Sequence, residues 1–254
     1  ILQQTREEQA DYAESAALQR ALAVDTRVLT PDDVRALCPY LWTGDLVSAT
    51  YSPRDGFADP YLVTTAFAAR ARDLGVTIEQ DREVTGFTRG RRGATVSTRQ
   101  GEIEAPVIVI AAGCWSGLVG RLAGAEIPVF PRRRCKFITG SLSAEQITLE
   151  TPFIIDHHDG FSIRREGPGI MVGYGRKGEA STFDTTPDLD LIPEVAERAV
   201  RRVPALVDAP VMRAWGGLYG MTPDQMGILG AIPGPDGFHV IAGFSGHGFM
   251  HGPI

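Results

Sequence analysis

Residues 238–242 (FHVIA) alternate and branch like a short buried strand, and they run directly into a glycine-rich loop at 243–248. Glycines packed this closely let backbone N–H groups turn outward and approach a ligand that side chains would otherwise block. A helix after the loop would add its dipole and make a seat for negative charge. That helix must start within a few residues of Ile254, so the loop reads as functional and the chain as cut. The other end agrees. Residues 1–4 read as the tail of a strand, Thr5-Arg6-Glu7-Glu8 as a capping box, and there is no initiator Met.

Between these ends, helix signals are well punctuated. Thr30-Pro31-Asp32-Asp33 opens a short helix reaching Leu37, and Asp59-Pro60 opens a longer one that Gly75 closes. The longer helix carries Leu62, Ala66, Phe67 and Leu74 on its apolar face. Residues 76–78 then read as a strand, and 95–99 with 102–105 as a polar hairpin around Gln100-Gly101. The run 107–112 (VIVIAA) is unbroken and apolar, as in a central strand covered on both faces, and a helix over 115–122 follows Gly113.

From 128 to 175, short β-rich pieces at 135–139, 153–156, 161–164 and 170–174 are separated by glycine turns, the pattern of an antiparallel sheet. An amphipathic helix at about 192–203 ends at Pro204. Strand–helix alternation outside and an antiparallel block inside predict an α/β core with an inserted second domain. The expected division is 1–58 (a helical segment and the start of the insert), 59–127 (core), 128–214 (insert) and 215–254 (core).

Composition narrows the function classes. A formal net charge of −6, with basic residues scattered or in pairs, argues against a nucleic-acid surface. No apolar run approaches the ~20 residues of a membrane span. Cys38, Cys114 and Cys135 are odd in number and widely spaced, which favours reduced thiols in a cytoplasmic protein and offers no metal-ligand spacing. His157-His158, adjacent on a strand, would point to opposite faces, so no metal is expected.

Gly173-Tyr174-Gly175-Arg176-Lys177-Gly178 matches a dinucleotide fingerprint, but residues 179–184 lack the periodicity of the helix that fingerprint needs. It is read as a strand end and loop. Gly113-Cys114-Trp115-Ser116-Gly117 has the wrong spacing for a nucleophile elbow. Ser245 fails it too, and no carboxylate can be assigned to orient His247. The strand ending in Ala111-Ala112-Gly113 reads either as tight strand–helix packing or as a strand end a cofactor approaches; the loop at 243–248 offers a second such end.

With these motifs in view, the chain resembles the FAD-dependent amine oxidoreductases of the D-amino-acid oxidase superfamily, the branch containing sarcosine oxidase, glycine oxidase and L-proline dehydrogenase. The likeness rests on Asp55-Gly56 through Asp59-Pro60-Tyr61, on VTIEQDREV at 76–84, on VIVIAAGCWS at 107–116, and on 218–253 with LYGMTPD and GFSGHGFM. The family's N-terminal βαβ unit is absent from it. The resemblance implies a partial FAD-binding Rossmann-like domain at 59–127 and 215–254 with an antiparallel substrate domain at 128–214. It also implies that Val84 meets the adenine, and that Ala111, Ala112, Gly113 and Trp115 lie near the pyrophosphate and ribityl chain. Gly243, Phe244, Ser245, Gly246, His247, Gly248, Phe249 and Met250 then lie along the flavin's pyrimidine edge. N–H donors there would stabilise charge on reduced flavin.

Departures from the family pattern matter. Gly217 stands where monomeric sarcosine oxidases carry the flavin-linking cysteine, Met250 where they carry a lysine, and Tyr219 where glycine oxidase has its carboxylate-binding arginine. The chain therefore looks closer to proline-dehydrogenase-like members. The implied activity is oxidation of a secondary amine, an N-methyl or cyclic amino acid, by hydride transfer to FAD, with possible partner subunits for electron transfer. Tyr219 and His247 are the candidate catalytic residues, and Tyr219, Arg164 and Met250 the candidate substrate contacts. Arg164 also reads as a solvated strand-end charge. Two other readings stand beside this one: a D-amino-acid or glycine oxidase using oxygen directly, and an incomplete module that binds no flavin alone.

Overall fold

The computed structural model describes residues 1–89, 93–143, 145–148, 150–176 and 178–253. In chain order, β1 (Leu2–Gln3), α1 (Arg6–Ala21), β2 (Arg27–Leu29), α2 (Pro31–Leu37), β3 (Ser48–Tyr51) and α3 (Pro60–Asp73) come first. β4 (Val84–Arg89), β5 (Ala94–Thr98), β6 (Gly101–Ala105) and β7 (Ile108–Ile110) follow, then a 3-10 turn at Gly113–Trp115 and α4 (Ser116–Leu122). Next are β8 (Phe130–Thr139), β9 (Ile154–Asp156), β10 (Phe161–Glu166), β11 (Gly169–Tyr174) and α5 (Ile192–Arg202). Last come β12 (Val211–Met221), β13 (Ile228–Ala231), β14 (Phe238–Ala242) and α6 (Gly248–His251).

Helix starts follow local chemistry. Thr5 Oγ1 accepts from the Glu8 N–H at 3.1 Å while the Glu8 carboxylate accepts from the Gln4 and Thr5 N–H groups at 2.8 and 3.1 Å. Thr30 and Asp33 repeat the capping box at α2, and the Asp59 carboxylate caps α3 ahead of Pro60.

The chain divides into two compact units. The first comprises Ile1–Phe57, Arg134–Gly178 and Thr185–Gly216. Its eight-stranded sheet runs β12-β8-β11-β10-β9-β1-β3-β2, antiparallel through β8, β11, β10 and β9 and parallel between β1 and β9. Phe137, Ile163, Ile170, Val172 and Leu191 fill one side of that sheet, with Val195, Ala199 and Val203 from α5 and the turn after it. Arg202, 1% exposed, holds the same core together by polar means. It donates to the Asp156 carboxylate at 2.9 Å, to Asp45 at 2.7 and 3.1 Å, and to the Trp42 carbonyl at 2.6 Å.

The second unit comprises Ala58–Arg133, Glu179–Asp184 and Gly217–Ile254. It contains the sheet β13-β14-β7 and the meander β4-β5-β6. Ile110, Ile127, Val129, Phe238, Val240 and Ala242 form its core. Among the described residues, no helix is long and apolar enough to cross a membrane.

The architecture is mixed α/β, as expected, but several local readings are corrected. Residues 76–78 form no strand, and Val76 is 52% exposed. β7 is shorter than the apolar run and sits at one edge of its sheet, paired among the described residues with β14 alone; Ile110 is buried while Val109 is 57% exposed. Of the apolar face expected for α3, Leu62, Phe67 and, at its C-cap, Leu74 are 63%, 61% and 69% exposed. The predicted hairpin at 95–105 is present, with β4 added as a third strand. His157 and His158 lie in the turn after β9, where they meet Tyr12 and Glu8.

Gly173 lies inside β11, and the next helical turn begins only at Leu189, so the fingerprint match does not open a helix; Lys177 of that match lies outside the described residues. Cys38, Cys114 and Cys135 are free and buried, and no metal-holding cluster occurs among the described residues.

Candidate functional site

The second unit builds a cradle from two parallel strand ends. β14 pairs with β7 in register His239↔Val109 and Val240↔Ile110, so the segments following Ile110 and Ala242 emerge in the same direction. After β7 the chain turns at Gly113, which has φ +54°, into the 3-10 turn and then α4. After β14 it turns through Gly243 (φ +76°), Ser245 (φ +53°) and Gly246 (φ +99°). Three left-handed residues within four positions roll the loop tightly, a conformation that favours glycine.

β12 joins the two ends. The Gly220 Cα is packed against Gly113 and Cys114, whose backbone atoms would lie 3.2–3.3 Å from any Cβ added there. The Gly220 carbonyl accepts from the Ser245 N–H at 2.9 Å. Ser245 is 8% exposed, and its Oγ accepts from the Thr222 N–H at 3.3 Å. Thr222 Oγ1 in turn donates to the Met226 carbonyl at 2.8 Å. These bonds set the loop against the strand beside it and give its buried polar groups partners.

The predicted site residues fall as follows. Ala111, Gly113 and Trp115 are exposed at the first strand end. Trp115 stacks on Phe183 at 5.9 Å and 24°, and Ser181 and Thr182 tie that neighbouring segment to the Pro131 carbonyl. The Tyr219 ring lies over Gly246, with Cδ2 and Cζ each 2.9 Å from where a Cβ would stand. His247 caps α6, its ring 6.2 Å from that of His251, and among the described residues no carboxylate hydrogen-bonds it. Phe249 and Met250 lie exposed on α6. Val84 opens β4 opposite Thr98 in the meander.

Arg164 belongs to the first unit. It is not a solvated strand end: its side chain is 22% exposed, bridges Glu166 at 2.8 Å and lies over the Phe57 ring at 4.8 Å. Sequence reasoning missed Gly220, Thr222 and Phe183, whose roles depend on neighbours distant along the chain.

Two glycines of the second unit have open backbone. A Cβ built on Gly113 or on Gly217 meets no atom within 4 Å, so at both positions the backbone faces open space. By contrast, Gly117 and Gly120 of α4 are small for packing: a Cβ would stand 2.5 Å from the Val129 carbonyl or 2.8 Å from Ile127. The close packing thus lies inside α4, at Gly117 and Gly120, while Gly113 ahead of it is open.

Comparison with known proteins agrees with this geometry. The DAO family, described as FAD dependent oxidoreductase, matches residues 1–254. Human mitochondrial sarcosine dehydrogenase is 29% identical over 259 residues, covering 95% of this chain and 28% of that protein. Sarcosine oxidase subunit beta from an Arthrobacter species is 30% identical over 241 residues, covering 91% of this chain and 57% of the subunit. L-proline dehydrogenase from P. horikoshii superposes with a TM-score of 0.90 at 31% identity, over 99% of this chain and 68% of that one. Glycine oxidase from Geobacillus kaustophilus shares the fold, with a TM-score of 0.84 at 24% identity over 99% and 66% of the two chains. The chain thus spans 28% to 57% of the length of these two curated relatives. With the family matched end to end, this chain belongs to the DAO family of FAD-dependent oxidoreductases.

Proposed function

We propose that the protein oxidises the C–N bond of an N-methylated or cyclic amino acid of the sarcosine, dimethylglycine or proline type. The observation that carries this reading is the convergence of two parallel strand ends on Gly220, with open glycine backbone at Gly113 and Gly217. Relatives named for sarcosine, dimethylglycine and L-proline supply the substrate class.

FAD, when bound, supplies the two-electron acceptor for the C–H bond next to nitrogen. The chain's own residues do the rest. Gly113, whose backbone faces open space, and the backbone of the left-handed loop at 243–246 would hold the cofactor, the loop being packed by Thr222 at Gly243 and by the Tyr219 ring at Gly246. Ser245 and Thr222 hold that loop in one conformation before the cofactor arrives, so its donors need no reorganisation during reaction. Tyr219 gives the substrate a rigid aromatic wall. The amine reacts as the neutral base, because its lone pair supports loss of hydride from the adjacent carbon, and the site orients it. Partner subunits for onward electron transfer and a cytoplasmic setting belong to the same reading.

Anaerobic addition of N-methylglycine, N,N-dimethylglycine or L-proline to the FAD-loaded protein should bleach the flavin absorption band. Reoxidation faster by an artificial dye than by oxygen marks a dehydrogenase, and the reverse an oxidase. Stoichiometric FAD binding with no bleaching by any secondary or tertiary amino acid would overturn the proposal.

A further inference from the structure

Residues 179–184 lie between β11 and α5, yet they belong to the second unit, while the chain on either side belongs to the first. They form neither helix nor strand, so sheet pairing does not hold them. Polar contacts within the second unit do. The Pro131 carbonyl, near the start of β8, accepts from Ser181 Oγ at 2.9 Å and from the Thr182 N–H at 3.3 Å. Arg133 donates to Glu179 at 3.2 Å and to Asp184 at 3.4 Å, clasping the segment at both ends. The Arg133 and Glu179 side chains are 17% and 16% exposed, so that pair is largely out of water, where a charge-assisted hydrogen bond is stronger than at the surface.

The segment delivers one ring. Phe183 stacks on Trp115 with centroids 5.9 Å and planes 24° apart, and the two residues remain 41% and 51% exposed. Rings left this open gain only part of what core burial would give, so packing alone does not account for the clasp behind them. Trp115 ends the 3-10 turn that begins at Gly113, whose backbone faces open space just beyond β7. With one face against Phe183, the indole has fewer rotamers to sample and stands as a flat wall beside that open backbone.

A wall set in advance suits a ligand with rigid planar rings, because the cost of ordering the indole is met before binding. We propose that Phe183 is a positioning residue for the cofactor. Through the stack it fixes the Trp115 indole beside Gly113, and the segment 179–184, held by Arg133 and the Pro131 carbonyl, fixes Phe183 in turn. Phe183 acts through Trp115 and not on the reacting atoms, and what it sets is how long FAD stays bound. That role toward FAD rests on the cradle reading of Gly113; the clasp and the stack do not.

Release of FAD from the loaded protein, followed by the rise of free-flavin fluorescence, tests it. Phe183→Leu should speed release about 2- to 10-fold, the range of an aromatic pair, and Phe183→Tyr should restore it to within about twofold of the parent. In apo protein, Phe183→Leu should also increase acrylamide quenching of the Trp115 emission, the component that Trp115→Phe removes. Ser181→Ala loosens the segment and leaves both rings, so it should move both readings the same way by less. A Phe183→Leu variant with a lower urea midpoint but the parent's release rate makes the stack structural only and overturns the proposal. Unchanged quenching of Trp115 overturns it as well. Gly217→Leu perturbs the cradle without reaching the stack, since a Cβ there meets no atom within 4 Å. If it loses flavin while Phe183→Leu releases FAD like the parent, the cradle stands and the role of Phe183 falls. If both variants hold flavin as the parent does, or the parent takes up none, the cradle reading falls and the role of Phe183 with it.

Discussion

Gly246→Ala isolates the contact between the loop and Tyr219. Gly246 sits at φ +99°, where an L side chain is strained, and its missing Cβ leaves the space the Tyr219 ring occupies. The backbone term is about 1–2 kcal/mol. Displacing a ring whose Cδ2 and Cζ lie 2.9 Å from the new atom adds a further ~1–2 kcal/mol of overpacking. The sum is about 3 kcal/mol, a large share of the stability of an ordinary domain. Urea denaturation of apo protein reads it, and flavin content after reconstitution reads its effect on the cradle. A double-mutant cycle separates the parts. In a Tyr219→Ala background the steric term vanishes and Gly246→Ala should cost only the backbone ~1–2 kcal/mol. An alanine variant within ~0.5 kcal/mol of the parent would refute the geometry, and equal costs in both backgrounds would refute the role of the ring.

Further consequences follow from the same structure. Gly217→Ala meets no atom within 4 Å, so it should leave apo stability within ~0.5 kcal/mol while any bulkier residue there reduces flavin content; loss of apo stability would contradict the open space. Arg202→Met leaves the Asp156 carboxylate, which is 0% exposed, without its guanidinium, and should cost about 3–5 kcal/mol by urea denaturation. Burial favours the neutral form of Asp159, but the Arg201 and Gln4 hydrogen bonds and the Arg198 charge outweigh it and hold its pKa below the usual carboxylate value. Its contribution is therefore present above the unfolded pKa of ~3.9 and is lost as pH falls through the lower folded value. Asp159→Asn should flatten that acid limb in a stability–pH series. Ser245→Ala removes the acceptor of the buried Thr222 N–H and should cost about 1–2 kcal/mol, with faster flavin loss on dialysis.

What could be read from sequence was local. The caps at Thr5, Thr30 and Asp59 follow from side chains within three residues of the groups they satisfy, and all three were legible. So were β14 and its loop, because alternation and dense glycine are contiguous signals, and so was the failure of 179–184 to form a helix. β9, β10 and β11 were legible for the same reason, with boundaries near those observed, whereas β8 starts earlier, at Phe130 rather than Cys135, and β2 and β3 were not foreseen.

The tertiary structure decided whatever depends on a distant partner. The run at 107–112 is apolar enough for a central strand, yet among the described residues β14 alone pairs with it, and burial belongs to the neighbours rather than to the run. Residues 76–78 have strand-forming side chains and no ladder to join. Gly173 and Gly175 looked like a phosphate loop because a glycine spacing does not say what fills the missing Cβ. The register of β11 against β8 supplies Lys136 and Arg134 as the answer. Gly220 is likewise one glycine among 29 until the fold lays it between Gly113 and Ser245. A sequence records propensities along one dimension; which backbone or side chain a glycine must admit is set by contacts between residues tens of positions apart.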